Sequence, residues 1–342
     1  MPNALIVYAT EHDPWFNLAF EAYLMEQLEE GRFAAVLYLW QNDNTVVIGR
    51  NQNAWVECNT GLLEAEGGRL ARRSTGGGAV FHDLGNLNFS ILLPRDRFDI
   101  GRNFAMLLDA VADQGIRAER SGRNDILADG LKFSGNAFSL KKRAGLHHGT
   151  LLVHSAYERV ARYLTVPPDK LKAKGVASVR SRITNLVSIR PGITVEGLNA
   201  SMEKAFLGHF CTDSSWQVRR ETDVAFRGDS RLDALHAHYA SWNWRYGESL
   251  AFDAQISQRF TWGSLTLGFQ ISKGQVTRAS VYSDALDSDY IGQIPNLLTG
   301  CRFHSADLAG ALQTDDSCAD DLVTPRCQMA ADIAALIREQ NW

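Results

Sequence analysis

No two cysteines of this 342-residue chain form a CxxC pair, and the five present, Cys58, Cys211, Cys301, Cys318 and Cys327, are odd in number and widely spaced. They read as free thiols in a reducing compartment, neither a disulfide framework nor a zinc site. No apolar run reaches the roughly 18 residues of a membrane span. The start, MPNALIVYATEHDPW, lacks a basic region followed by a long apolar one, so a signal peptide is not expected and a cytoplasmic location is. Excess charge is also missing: 35 basic residues face 39 acidic ones, for a net charge of −4, with the signs interspersed. Without a basic stripe, a nucleic acid is not an expected partner. Several motifs are absent as well. There is no GxxxxGK[ST], no GxGxxG after the first strand, no HExxH and no GxSxG. These gaps argue against P-loop, dinucleotide, zinc-protease and α/β-hydrolase chemistry.

What is present suffices for packed cores. Hydrophobic residues make up 45% of the chain, and its length suggests two domains. Residues 4–10, 34–40 and 45–49 read as strands, and Asp13 with Pro14 signals a helix through about Glu30. Residues 51–59 read as polar loop around Trp55, followed by the strand LNFSILLP. Helical spacing recurs over 99–115, 155–164 and 194–210. Beyond residue 248 the pattern changes to a hairpin turning at Lys273 and Gly274, then helices near 304–312 and 324–340. The expected division is therefore 1–247, a catalytic domain, and 248–342, an accessory domain.

The stretch ARRSTGGGAVFHDLGNLNFS, Ala71 to Ser90, concentrates the candidate chemistry. Gly76, Gly77 and Gly78 permit positive φ and close backbone approach, so their N–H groups could cradle an anion with Arg72 and Arg73 at the mouth. A hairpin that needs glycine only for its turn fits the same residues. Lys132, among small residues, has its ammonium either in a cleft or at a strand edge. Asn124 and Asp125 either orient Lys132 or a nucleotide-borne Mg²⁺, or cap a turn. Alternation places one of His147 and His148 inward and the other outward, as a hydrogen-bonded histidine and not a metal ligand. The basic segment at 170–186, with Lys170, Lys172, Lys174, Arg180 and Arg182, suits either a solvated loop or a cover over a polyanion. Together these groups suit stabilisation of negative charge at a phosphate or acyl phosphate.

In order along the chain, RRSTGGGAVFHDLGNLNFS, SGRNDI, KFSGNAF, HHGTLL and KGVASVRSRITNL resemble the lipoate-protein ligase A family, from about Asp13 to the C-terminal hairpin. The resemblance implies an α+β fold: a biotin/lipoate ligase-type catalytic domain, with a class II synthetase-like mixed sheet and helices, plus a small C-terminal α+β domain. It implies that ATP, as Mg²⁺-ATP, activates lipoate to lipoyl-AMP, and that a lysine of an apo lipoyl domain then takes the acyl group. Acceptors would be E2 subunits of 2-oxoacid dehydrogenase complexes and the glycine cleavage H protein, and the ligase itself a monomer. By family position, Arg73, Gly78, Ala79, Val80, Phe81, Asp125, Lys174 and Arg182 would hold the nucleotide. Thr75, Gly76, Gly77, His148 and Gly149 would border the lipoyl group, and Lys132 would touch both adenylate phosphate and acyl oxygen. The pattern departs at Ser139, where family members often carry arginine.

Two other readings remain. An octanoyl or lipoyl transferase on the same fold takes its acyl group from a carrier protein and needs a nucleophilic cysteine near the lysine. None lies between Cys58 and Cys211. A non-catalytic binder of lipoyl domains would not need Lys132 and Arg73.

Overall fold

The computed structural model describes residues 2–164, 183–247, 252–312, 326–340 and 342. Pro167, Pro168, Lys170, Lys172, Lys174, Arg180, Arg182, Cys318 and the expected boundary at 248 lie outside the described residues. Two compact units form. One comprises Met1–Val47, Ala54–Arg72 and Ala79–Arg245, the other Ile48–Asn53, Arg73–Gly78 and Tyr246–Trp342.

The first unit contains strands β1 (Asn3–Tyr8), β2 (Ala35–Trp40), β3 (Thr45–Ile48), β4 (Arg69–Arg72), β5 (Val80–His82), β6 (Asn86–Pro94), β7 (Glu119–Ser121), β8 (Asp125–Ala128), β9 (Leu131–Leu140), β10 (Ala144–Leu152) and β11 (Gln217–Thr222). Its main sheet has the order β11-β1-β2-β6-β10-β9-β8-β7, and a small second sheet the order β4-β3-β5. β1 runs parallel to both neighbours, pairing Asn3 with Gln217 and Ala4 with Ala35, while β2, β6, β10 and β9 alternate in direction. The helices are α1 (Pro14–Glu29), α2 (Ala54–Glu57), α3 (Thr60–Ala65), α4 (Ile100–Asp113), α5 (Tyr157–Tyr163), α6 (Leu186–Ile189), α7 (Val195–Phe210), α8 (Ser230–Ala240) and α9 (Trp242–Tyr246).

Helix α1 starts where Asp13 accepts the Trp15 backbone N–H at 3.0 Å and Pro14 presets the first turn. It is buried on most sides against Val36, Tyr38, Trp40, Leu92 and Leu146, which share one face of the sheet. On the other face α4 brings Phe104 against Phe138 and His147, with α7 beside it. Both faces are thus covered, which corrects the expectation for the two histidines: His147 and His148 point to opposite faces, yet both are buried. The expected polar loop at 51–59 is likewise corrected, because α2 and the capped start of α3 fall within it; the Asn59 side chain accepts the Leu62 N–H.

In the second unit, β12 (Ala254–Phe260), β13 (Gly263–Ser272) and β14 (Gln275–Ser283) form an antiparallel sheet in that order. Lys273 and Gly274 both take positive φ, 52° and 74°, as a two-residue hairpin turn requires. Helices α10 (Ser288–Leu298), α11 (Ser305–Ala311) and α12 (Arg326–Glu339) supply the rest of a core containing Trp262, Phe269, Ile291, Leu308 and Ile333.

Two packing features carry measurable consequences. A Cβ at Gly149 would lie 2.7 Å from Asn136 Oδ1 and from the Gly135 carbonyl, and 2.8 Å from Phe89 Cζ. Gly149→Ala is therefore expected to lower the urea unfolding free energy by about 1–3 kcal/mol, and a loss under about 0.5 kcal/mol would show that the strands yield. His147, fully buried among Phe89, Phe104 and Phe138, has its ring pKa held well below 6.5, chiefly by loss of solvation. Its stabilising contribution is complete above the unfolded value near 6.5 and falls away below it, because only the unfolded chain takes up the proton. Between about pH 6.5 and pH 5, parent stability should fall more steeply than that of His147→Gln, by up to about 1.4 kcal/mol per pH unit. Superimposable pH–stability curves would overturn this.

Candidate active site

Cross-strand register places the polar residues of the first unit. On the α1 face, one row of the sheet is apolar: Val36, Leu92 and Leu146 pair in succession. The next row reads Tyr38, Ser90, His148 and Ala137, and the one after it Trp40, Asn88 and Thr150, whose hydroxyl accepts the Gly135 N–H at 3.3 Å. Apolar packing thus gives way to hydrogen-bonding groups within two rows. Glu21 of α1 reaches this surface: His148 Nδ1 lies 2.8 Å from Glu21 Oε2, and Ser90 donates to the same carboxylate while accepting from Trp40 Nε1 at 3.0 Å. Glu21 and His148 are only 2% and 5% exposed, so the carboxylate depends on these donors in place of water.

Lys132 and Asp125 lie at the edge of the same region. Asp125 pairs with Gly135 and Leu127 with Lys132, leaving one extra residue on β9 at the irregularity beside Ile126 and Leu127. Such a bulge turns a side chain away from its regular direction. The Lys132 stem lies over Gly135, with Cε and Nζ 3.4 Å from where a Cβ would stand, and Nζ is 2.6 Å from Asp125 Oδ1. Each partner of this pair is about one-third exposed, at 35% and 36%. The Lys132 carbonyl accepts the Thr184 N–H at 2.9 Å, and Ile183 forms a parallel bridge with Lys132. Leu164 bridges Cys58, so both described flanks of the 165–182 segment are anchored by backbone pairing. His148, Gly149 and Thr150 occupy consecutive positions on the neighbouring β10. Of the remaining candidates, Val80 and Phe81 stand on β5, with Phe81 packed on Tyr163 and Ala79 just before it. Lys174 and Arg182 lie outside the described residues.

Arg73, Thr75, Gly76, Gly77 and Gly78 gather in the second unit's loop. Arg73 Nε and an Nη donate to the Gly76 carbonyl at 3.1 and 2.7 Å, and an Nη donates to Gly78 at 2.8 Å. The Gly77 N–H donates to the Ala285 carbonyl at 3.1 Å, and Ser288 Oγ donates to the Ser74 carbonyl. Close approach explains two glycines: a Cβ on Gly76 would lie 1.9 Å from the Ala285 carbonyl oxygen, and one on Gly49 2.3 Å from that of Gly77. Compared with an open cradle with two arginines at its mouth, Arg73 folds into the loop and the Gly77 donor is engaged. Arg72 differs more sharply. It is buried in the first unit, where it donates to the carbonyls of Trp244 and Arg245, the kind of helix-end acceptors that α9 leaves without an intrahelical partner.

Sequence reasoning missed Glu21, Trp40, Asn88, Ser90 and Thr150. A signal existed for two: Asn88 and Ser90 continue, from Asn86, a polar repeat at period two inside an otherwise apolar strand, which marks one polar face. Among the described residues no three His, Cys, Asp or Glu side chains gather to hold a metal ion. Nor does any described helix have the length and apolar character to cross a membrane.

Comparison with known proteins bears on this geometry. Residues 13–207 match the model of the lipoyl protein ligase A/B catalytic domain, and residues 249–320 that of the bacterial lipoate protein ligase C-terminus. The fold is similar to the crystal structure of P. falciparum LipL1 in complex with lipoate, at 26% identity and a TM-score of 0.85, over 99% of this chain and all of that one. It is also similar to a bi-partite lipoate protein ligase from Thermoplasma acidophilum, described with its E2 lipoyl domain, at 26% identity and a TM-score of 0.61, over 74% of this chain and all of that one. A lipoate-protein ligase A bound with ATP matches at 26% identity and a TM-score of 0.60, over 72% of this chain and 99% of that one. With its catalytic-domain match covering more than half the length and the C-terminal match following it, the chain belongs to the lipoate-protein ligase family.

Proposed function

We propose that this chain is an ATP-dependent lipoate-protein ligase that makes lipoyl-AMP and passes the lipoyl group to a lysine of an apo lipoyl domain, on E2 subunits and the glycine cleavage H protein. The observation that carries this reading is Lys132: an ammonium re-aimed by a bulge, held by Asp125 at 2.6 Å, beside a polar patch on an otherwise apolar sheet face. The bound lipoate, ATP and lipoyl domain named for the similar structures support the same chemistry.

In the first step a lipoate carboxylate oxygen attacks the α-phosphorus of ATP, the α–β bridging bond breaks, and pyrophosphate leaves. In the second the acceptor lysine amine attacks the acyl carbon, the acyl–oxygen bond breaks, AMP leaves, and the amine loses a proton. Both transition states load negative charge onto oxygens of the phosphate and the acyl group. Lys132 would donate to those oxygens, and such donors act most strongly where bound substrates displace water. His148, Gly149 and Thr150 would border the acyl chain, joined by Thr75, Gly76 and Gly77. Arg73, Gly78, Ala79, Val80, Phe81, Lys174 and Arg182 would hold the nucleotide. Mg²⁺ generally uses one or two protein carboxylates and takes its other oxygens from phosphate and water. Asp125, partly exposed beside Lys132, fits that role as the carboxylate for Mg²⁺ brought by ATP.

The transferase alternative needs a reactive thiol. Burial pushes the Cys58 thiol up to about 12 and the Cys211 thiol up to about 11, so neither supplies a thiolate near neutrality. This supports the ATP-dependent route.

Lys132→Ala is expected to cut lipoate-dependent ATP–pyrophosphate exchange by about 100- to 1,000-fold while leaving the protein folded by circular dichroism. Exchange at the parent rate would refute the proposed role. Cys58→Ser and Cys211→Ser should each retain ATP-dependent lipoylation of an apo lipoyl domain within about threefold, since neither thiol enters the chemistry. Loss of acylation in one variant, together with an acyl-thioester trapped on that same cysteine in the parent, would favour the transferase instead.

A further inference from the structure

We propose that Asn136 is a positioning residue of the ligase, holding Asp125 against Lys132 through Asn124; this role rests on the function proposed above. The side chain stands on the face of β9 opposite the polar patch. Its Nδ2 donates to the Asn124 carbonyl at 3.0 Å and to Ser134 Oγ at 3.2 Å, while His147 Nε2 lies 2.8 Å from Oδ1. Two further contacts close the same link: the Asn136 backbone N–H donates to the Asn124 carbonyl at 2.9 Å, and the Asn124 side-chain Nδ2 donates to the Asn136 carbonyl at 2.9 Å.

These partners determine the amide's orientation and the imidazole's tautomer. Because Nδ2 faces two oxygens, Oδ1 is the atom turned to His147, and the hydrogen between them belongs to Nε2. Among the described residues Nδ1 of His147 has no hydrogen-bond partner, and the Phe89, Phe104 and Phe138 rings surround the imidazole. The donor is thus a neutral ring in a packed pocket. Gly149 completes the arrangement, since a Cβ there would overlap Oδ1.

The consequence falls on the next residue. Asn124 leads directly into Asp125, which pairs with Gly135 and contacts Lys132 Nζ. Just before it, Gly122 takes a φ of +57° and lets the chain turn on its approach to β8, and Ser121 pairs with Asp125 across that turn. The Asn136 amide ties down that approach from inside the sheet, and the partly exposed ion pair inherits its geometry. Lys132 is placed from two sides: by its own bulge, and by a carboxylate whose backbone is fixed from the opposite face.

The test is a double-mutant cycle on lipoate-dependent ATP–pyrophosphate exchange, with Asn136→Ala made in the parent and in Asp125→Asn. In the parent, kcat should fall on the order of 100-fold, as a misplacement near 1 Å can cause, with the KM for lipoate changed less than about threefold. In the Asp125→Asn background the same change should cost less than about threefold, because the residue it acts through is already lost. Equal losses in both backgrounds would overturn the role. Asn124→Ala, at a half-buried turn position, should show the same non-additivity with a smaller effect, and it serves as the test if Asn136→Ala does not fold. Independently of activity, ¹⁵N spectra of the parent should show the His147 ring protonated at Nε2, and a ring protonated at Nδ1 would also overturn the assignment. A parent protein without exchange activity refutes the ligase function and this role with it, whereas additive losses in an active enzyme refute this role alone.

Discussion

Backbone pairing of β9 with its two neighbours is the constraint on which the candidate site depends. On one side β10 holds it in regular antiparallel register from Leu140 to Asn136; on the other, β8 accommodates one extra residue. A strand regular along both edges would alternate its side chains strictly. The irregular edge frees Lys132 to lie over Gly135 and meet Asp125. The regular edge keeps His148 opposite Ala137, and on its far side β10 sets His148 and Thr150 opposite Ser90 and Asn88 of β6. A cation whose aim must be reproducible is thus supported by main-chain hydrogen bonds, with side-chain packing secondary.

Polar groups in this core are arranged so that buried charges have hydrogen-bond partners close by, donors for a carboxylate and acceptors for a guanidinium. Glu21 of α1 meets Ser90 and His148 of the sheet beneath it, and Arg72 lies among helix-end carbonyls. A buried carboxylate without such partners would cost several kcal/mol. The pattern explains why polar residues cluster toward one end of a strand whose other end is apolar. It also explains why the two arginines of a single dipeptide have different neighbours: Arg72 ends a strand and meets α9, whereas Arg73 begins the loop and encircles it.

Much of the fold was legible in the chain. Asp13–Pro14, Gly115 and the Lys273–Gly274 pair are local signals, and helix starts, stops and turns follow them closely. The site was legible in parts. Lys132 stood out as a lone lysine among small residues, and the glycine triplet announced close backbone approach. Other features depend on register between distant strands, which no local pattern encodes. The bulge on β9 results from pairing with β8. Glu21 carries no local signal in the sequence, and only the packing of α1 onto β6 and β10 makes it a buried partner of His148. Two adjacent histidines on a strand suggest one solvated and one buried ring; helices on both sides of the sheet leave neither solvated.

The parallel pairing of β1 with β11 bears on how the molecule is made. Residues 3–8 leave the ribosome well before their outer partner, residues 217–222, which is translated some two hundred residues later. Throughout that interval β1 can pair with β2 alone, and its other edge presents open N–H and C=O groups to water or to other nascent chains. Long-range parallel pairing of this kind is slow to form. A nascent chain halted before β11 would be more prone to aggregation than the finished protein, although nearly all of its catalytic candidates had already been synthesised.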